Sequence, residues 1–391
     1  MMRTWVEWLL LIPTIGGSVY AILSLLSVIR FRMRPVSPSR ATFVSWPAVT
    51  VLKPVCGLEK NLRTNLRSAC LQEYPEFQVV FSVQDKTDPA IPLLRELQQE
   101  FGAQRIAVAI DDSQKATNGK IKNLLGALPY ARYDVLVISD SDVLLKPDYL
   151  KAIVAPLADP EVGCVCTLYK AVGAKTWFEK LELLTLNADN MANIIFAHVT
   201  GASGVCLGAS TALRRPNLKE IGGLESLASY LVEDYEMGRR IWLTGKRIAI
   251  VPYFIDTMVS LRRASDWWHH QIYWDQNNRS ARPLAFFGTV IIRSVPFALL
   301  FAALRGDLIG LAVLAGALLV RLSTSAVILG WGLGDREGLR ALLLLPVRDV
   351  AALISWFLAL TKRTVIWRGT EFTLTRDGHM ILRQGDPGRK A

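Results

Sequence analysis

Apolar and polar positions divide this chain into regions of different period. Residues 8–29 form an apolar run without a single charge, and a helix of that length crosses a hydrocarbon layer of roughly 30 Å. Between residues 49 and 169, short β-branched runs (49–53, 78–84, 106–110, 134–139 and 162–168) alternate with amphipathic stretches (58–71, 90–101 and 120–128). That alternation predicts βαβ units and a mostly parallel sheet, an α/β fold class. Three more apolar stretches follow, at 283–304, 308–333 and 339–360. The pattern therefore predicts an N-terminal transmembrane anchor at 1–32 and a cytosolic α/β domain with interfacial helices at 46–282. Membrane segments at 283–361 and a basic cytosolic tail at 362–391 complete the organisation.

Charges at the ends of these stretches set an expected topology. Arg30, Arg32, Arg34 and Arg40 follow the first run, and basic flanks stay on the cytosolic side, so the N-terminus is expected outside. Each later stretch carries an arginine near its middle: Arg293, Arg321 and Arg348, the last beside Asp349. Charges at that depth are costly unless paired or wetted. Three crossings would leave the basic tail (Lys362, Arg363, Arg368, Arg376) outside. Two full spans and one interfacial or re-entrant piece are expected instead, with the break at Pro346-Val-Arg-Asp349. A proline- and serine-rich linker at 33–46 separates the anchor from the domain.

Composition narrows the class. The chain has 391 residues, 51% hydrophobic and 20% charged, which supplies a large core and excludes a disordered chain or a small disulfide scaffold. The net charge of +11 gathers near the membrane segments, so the bilayer's anionic lipid is the expected partner and nucleic acid is not. All five cysteines fall in the cytosolic region, where thiols stay reduced. Cys164 and Cys166 read as strand alternation, not as a zinc spacing. No G-x-G-x-x-G or Walker loop is present, which removes support for dinucleotide oxidoreductases and P-loop NTPases.

Carboxylates mark the ends of consecutive runs: Asp85, then Asp111 and Asp112, then Asp140 and Asp142. In parallel sheets, ligands bind outside the carboxyl ends of the strands. Asp140-Ser-Asp142 after a buried strand suits a hard divalent cation, Mg2+ or Mn2+, shared with a diphosphate. A polar turn leading to a helix at Pro147-Asp148 is the alternative. Asn118 can cap a helix that brings Lys120 and Lys122 to the phosphate end, or those lysines form a solvated face. Glu233 and Asp234 open another helix, either as dipole caps or with one of them as a general base.

Together these segments resemble the inverting GT-A glycosyltransferases, specifically glycosyltransferase family 21 of the ceramide glucosyltransferase type and its bacterial lipid-glycosylating relatives. The resemblance rests on Val51-Leu-Lys-Pro-Val-Cys-Gly-Leu-Glu59, Gln84-Asp85 with Asp88-Pro89-Ala90, and Val137-Ile-Ser-Asp-Ser-Asp142. Pro156-Leu-Ala-Asp-Pro160, Gly208-Ala-Ser210 with Ala212-Leu-Arg-Arg215, Glu233-Asp234-Tyr235 and Trp367-Arg-Gly369 extend it. It implies a role for Asp85 near the nucleotide base, for Asp140 and Asp142 at the metal and diphosphate, and for Asp234 as catalytic base. Lys120 and Glu233 are then expected in the substrate site.

The family's Q-x-x-R-W element corresponds to His270-Gln-Ile-Tyr-Trp274, with Tyr273 in the arginine position. Gln276 and Arg279, about a turn on, are expected to supply the missing cation, and Trp274 a platform for sugar or acceptor. Trp267, Trp268, Tyr273 and Trp274 also read as a membrane-interface belt. The apolar stretch 177–196 either steers lipid chains or packs in the core.

The resemblance implies a bacterial inner-membrane enzyme that moves a sugar from a UDP-sugar to a lipid hydroxyl with inversion. Glucose and ceramide are the first expectation. N-acetylglucosamine or galactose onto a hopanoid polyol or diacylglycerol is the alternative. A membrane protein that only binds nucleotide sugar is a reading from another class, favoured by Tyr273.

Overall fold

A computed structural model describes residues 2–33, 43–202, 204, 206–367, 370–375 and 377–383. Arg34, Arg40, Arg368 and Arg376, most of the linker, and the end of the Trp367-Arg-Gly motif lie outside the described residues. The chain begins with α1 (Met2–Met33), β1 (Val49–Pro54), α2 (Leu62–Cys70), β2 (Phe77–Val83), α3 (Ile91–Phe101) and β3 (Ile106–Ile110). Next come α4 (Gly119–Ala127), β4 (Val135–Ser139), β5 (Val143–Leu144), α5 (Tyr149–Val154) and β6 (Val162–Val172). The middle continues with α6 (Trp177–Leu184), α7 (Met191–Val199), β7 (Ser210–Arg214), α8 (Arg215–Glu220), α9 (Glu233–Leu243) and β8 (Arg247–Met258). The last third holds α10 (Ala264–Ala281), α11 (Pro283–Gly288), α12 (Ser294–Arg305), α13 (Leu308–Val327), α14 (Arg336–Ala341) and α15 (Leu345–Thr361). Three short strands follow: β9 (Thr364–Trp367), β10 (Thr370–Leu374) and β11 (Met380–Leu382).

Two compact units emerge. The first, a sheet unit, comprises residues 35–169, 203–258 and 372–391. Its eight-stranded sheet runs β3-β2-β1-β4-β7-β6-β8-β5. Strands β3, β2, β1 and β4 pair in parallel, whereas β7 is antiparallel to both β4 and β6. Every residue of β1, β2 and β4 is buried. Their sequences are accordingly mostly apolar, as expected for strands covered on both faces, with Thr50, Lys53, Gln78, Ser82 and Ser139 as the polar exceptions. Leu66, Leu94, Leu97 and Tyr149 of the helices join Val51, Val79 and Phe81 in the core. The five strands expected from the runs are present; β5, β7 and β8 are additions to this sheet.

Cys164 and Cys166 lie on one face of β6, where Cys206 joins them with all three sulfurs within 4.8 Å. All three are buried free thiols. The tail is built into this unit: β10 and β11 form a hairpin, Met380 N donates to Ser229 O (2.7 Å), and Leu231 N donates to Gly378 O (3.0 Å).

The other unit is helical and comprises residues 1–34, 170–202 and 259–371. Residues 170–202 and 259–282, assigned to the cytosolic domain from sequence, pack here: Leu184 and Ala188 join Leu329, Ala341 and Leu345 in one apolar cluster, and Gln271 Nε2 donates to Glu182 Oε2 (2.6 Å). Thr4–Met33, Leu308–Gly332 and Arg336–Thr361 are long and apolar enough to cross a membrane. The first C-terminal stretch is broken between α11 and α12, at residues 289–293, and the third passes from α14 through a tighter turn at Leu342–Leu344 into α15, just before Pro346. Pro346 sits in the first turn of α15, where its missing N–H costs nothing.

The mid-run arginines are paired. Arg321 Nε donates to Asp349 Oδ2 (2.8 Å) and its Nη2 to Asp189 Oδ1 (2.5 Å). Arg348 bonds Asp189 and Asp349. Arg293 lies 3.7 Å from Asp275. Pairing is what makes charges tolerable in such surroundings.

Candidate active site

The Asp-Ser-Asp segment leaves the end of β4 and is pinned on two sides. Asp140 N donates to Ala209 O (3.1 Å), and Met258 N donates to Asp142 O (3.3 Å). Ser141 Oγ donates to Glu59 Oε2 (2.6 Å). Lys53, fully buried in β1, sends its Nζ to the Asp140 carbonyl (2.6 Å). Burial lowers the Lys53 pKa to about 8 against the pull of Asp142 and Asp140. Burial, then the charges of Asp140 and Glu59, raise the Asp142 pKa to about 7, with Lys53 opposing. The carboxylates of Asp140 and Asp142 offer hard oxygen donors, which fit Mg2+ or Mn2+ and not a thiophilic metal.

A second group of charges surrounds Lys120 at the start of α4. Asn118 caps that helix, its Oδ1 accepting from the backbone of Lys120 (2.9 Å) and Ile121 (3.1 Å). The same side chain donates through Nδ2 to Glu233 Oε2 (3.0 Å) and Tyr230 O (2.9 Å), tying α4 to the start of α9. Lys120 Nζ lies 2.7 Å from Asp140 Oδ1 and 3.4 Å from Glu233 Oε1, and donates to Gly208 O (2.8 Å). Burial works against the ammonium, but Asp140 and Glu233 raise its pKa well above the usual lysine range. Asp234 accepts from the backbone of Tyr235 (2.8 Å). Burial and the Glu233 charge raise its pKa to about 7, while Lys120 and backbone N–H groups oppose. That value suits a group that accepts protons near neutrality.

Gly208 closes the arrangement: a Cβ there would lie 2.9 Å from Asp234 Oδ2, so only glycine permits the approach without movement. The N-cap position of α9 is Val232, which supplies no side-chain cap, and the carboxyl groups of Glu233 and Asp234 face the site's hydrogen-bond partners instead.

The structure thus brings together Lys120, Asp140, Glu233 and Asp234. Asp85 stands apart, exposed at the end of β2, where Thr87 N and Oγ1 bond its Oδ1 (2.8 and 2.7 Å). The backbone bond of Thr87, its hydroxyl and Lys122 hold the Asp85 pKa below the usual carboxylate range. Asp111 and Asp112 make turn bonds and a Lys86 pair.

His270, Trp274, Gln276 and Arg279 all belong to α10 of the helical unit. His270 Nδ1 lies 2.7 Å from Glu182 Oε1, and its ring stacks on Tyr273. Gln276 Nε2 donates to Lys362 O (3.2 Å) and Thr364 O (3.0 Å). Arg279 donates to Leu360 O and Lys362 O (both 2.8 Å). Gln276 and Arg279, expected from sequence to stand in for the cation missing at Tyr273, thus both bond one segment of the helical unit. Their polar atoms hold the chain at the end of α15, because the carbonyls of a helix terminus lack intrahelical donors.

Sequence reasoning missed Lys53. Its signal was a lysine inside a strand with no other charge. It also missed the Asn118–Glu233 bond, which joins residues far apart in the chain.

Comparison with known proteins decides the family. The model of glycosyl transferase family 21 matches residues 9–380. The chain belongs to that family. Ceramide glucosyltransferase 1 of Caenorhabditis elegans is 26% identical to it over 206 residues, 52% of this chain and 44% of the worm protein. Ceramide glucosyltransferase 3 of the same organism is 22% identical over 348 residues, 86% of this chain and 75% of that one. The Candida albicans ceramide glucosyltransferase is 32% identical over 124 residues, 29% of this chain and 23% of its own. Among solved structures, the mannosyltransferase PcManGT from Pyrobaculum calidifontis, in complex with GDP-Man and Mn2+, matches with a TM-score of 0.56 at 20% identity. It covers 90% of this chain and 99% of its own. That likeness places the family-21 chain in the GT-A fold.

Proposed function

We propose that this protein moves glucose from UDP-glucose onto the hydroxyl of ceramide with inversion, its sheet unit facing the cytosol of a bacterial inner membrane. The observation that carries the chemistry is Asp234, a carboxylate with its pKa raised to about 7, next to Gly208 in the group built around Lys120. Asp234 accepts the proton of the acceptor hydroxyl as that oxygen attacks the anomeric carbon. The sugar–phosphate bond breaks in the same displacement, and UDP leaves. One displacement inverts the centre, so one base carboxylate suffices, unlike the carboxylate pairs of glycosidases.

Asp140 and Asp142 would hold Mg2+ or Mn2+, which neutralises the departing diphosphate; the Mn2+ bound to PcManGT supports this donor set. Lys120 joins Asp140 and Glu233 through its ion pairs. The ceramide glucosyltransferases among the relatives favour ceramide. Transfer of N-acetylglucosamine or galactose to a hopanoid polyol or diacylglycerol keeps the same site.

The test is mass spectrometry of lipids after incubating the purified protein with Mg2+ and UDP-glucose, UDP-galactose or UDP-N-acetylglucosamine. Ceramide, diacylglycerol or hopanoid polyol is the acceptor. A hexose added to ceramide is expected. Sugar on no lipid, with nucleotide-sugar binding retained, would replace this reading by a non-catalytic binding protein, which Tyr273 in the arginine position favours.

A further inference from the structure

The helical unit contains a polar cavity of about 100 Å³, bordered by α1, α7, α10, α13 and α15 and by the turn between α6 and α7. Its walls carry three guanidinium groups, from Arg293, Arg321 and Arg348, and three carboxylates, from Asp189, Asp275 and Asp349. Each arginine is paired with an aspartate. The wall is therefore charged in parts and neutral in sum. An anionic ligand would meet three carboxylates and a cationic one three guanidiniums, so the electrostatics favour an uncharged ligand.

Two N–H donors in this lining remain open. Arg293 Nε and Trp274 Nε1 are buried with no acceptor among the described residues. A buried donor without a partner is costly, and both would be satisfied by oxygen acceptors on a ligand. The volume exceeds that of a single water site. Around the cavity the helices turn apolar faces outward: Val19, Ile22, Leu23 and Leu26 of α1 and Leu319 of α13 are exposed, close in sequence to the lining residues Tyr20 and Arg321. A polar hole beside exposed apolar faces suits an amphiphile.

We propose that this cavity binds the uncharged head of a membrane lipid through its hydroxyl or carbonyl oxygens. The inference rests on the reading that the acceptor is a lipid and gives that lipid a docking place in the helical unit. Ceramide, diacylglycerol and a hopanoid polyol share the required chemistry; phosphatidylglycerol lacks it because of its charge.

The experiment measures lipid binding by native mass spectrometry in detergent. It uses the full chain carrying Asp234→Asn, without nucleotide sugar, so that binding is read apart from transfer. Short-chain ceramide, short-chain diacylglycerol, a hopanoid polyol and phosphatidylglycerol are the probes. At least one neutral lipid is expected to bind at one per chain and to resist displacement by phosphatidylglycerol. Trp274→Phe, which removes one open donor, and Arg293→Lys, which removes the other, are each expected to weaken it about fivefold. Ala352→Leu, which fills the cavity from α15, is expected to do the same and covers the case in which Arg293→Lys does not fold.

Binding unchanged by Trp274→Phe and Ala352→Leu would overturn the proposal, as would equal binding of phosphatidylglycerol or no lipid binding. Neutral-lipid binding without sugar transfer by the unsubstituted protein would overturn the proposed function and leave the cavity assignment standing. Transfer with unweakened binding in the variants would do the reverse.

Discussion

The ammonium of Lys120 lies 2.7 Å from a carboxylate oxygen of Asp140, joining the helix after β3 to the turn after β4. Lys120 therefore ties the proposed metal-binding turn to the Glu233 carboxylate beside the proposed base. Replacing it by methionine keeps the volume and removes the charge. Lys120→Met is expected to lower kcat by about 100-fold, a typical loss for one electrostatic group in a desolvated site. A kcat within threefold of the parent would exclude a role for Lys120 in the reaction.

Asp234→Asn should reduce kcat by about 10²- to 10⁴-fold while UDP-glucose still binds, the usual weight of a general base. Because Asp234 titrates at about 7 and acts deprotonated, log kcat of the parent should rise by one unit per pH unit below 7 and level off above. The asparagine variant should lose this limb; a profile that keeps it would assign the base elsewhere.

The same pKa has a consequence for stability. The folded-state value is raised above the ordinary 3.8, so burial favours the protonated form. The stabilisation is complete below the unfolded value and is lost as pH rises through about 7. Asp234→Asn, which stays neutral, should therefore be more thermostable than the parent at pH 8 and less so relative to it at pH 5. Melting curves at the two pH values test this.

Gly208→Ala would place a Cβ 2.9 Å from Asp234 Oδ2, too close for a relaxed contact. Asp234 must shift, and a shift of a few tenths of an ångström at a reacting group is expected to cost about tenfold in kcat. The melting temperature should change by only a few degrees. A fully active alanine variant would show that Asp234 tolerates displacement.

His379 reaches from the C-terminal hairpin to the segment before α9. It shares a 2.8 Å hydrogen bond with Ser229 Oγ, and its ring lies 4.2 Å from that of Tyr230. His379→Ala should lower stability by about 1 kcal/mol and kcat severalfold, with His379→Gln restoring part of both. Stability loss without a change in kcat would make the hairpin purely structural.

Much of this protein was legible in its sequence because the deciding signals are local. Apolar runs of bilayer length, charge-free in α1 and interrupted only by Arg321 in α13, identify these helices through solvation alone. The strand runs were readable because β1, β2 and β4 are buried on both faces and so tolerate little but apolar side chains, and Asp140-Ser-Asp142 announces itself at the end of one of them. Asn118 capped α4 as its type suggests.

Other features needed the tertiary structure, since no local rule reports a contact between distant residues. The arginines at 293, 321 and 348 looked alike in sequence, and only packing shows which aspartates accept them. Arg279 had the right charge for a phosphate, yet the carbonyls at the end of α15 hold it. Composition likewise could not separate the stretch 177–196 from the sheet, because apolar faces specify burial and not the partner. The sequence by itself determined the elements, the family motifs and the membrane-length helices, all fixed by side-chain solvation and backbone preference within a few residues. The tertiary structure alone decided which charges meet, and therefore that Asp234 sits beside Gly208 and Lys120 with its pKa moved toward neutrality. Desolvation and Coulomb interactions depend on distances that only the folded chain defines.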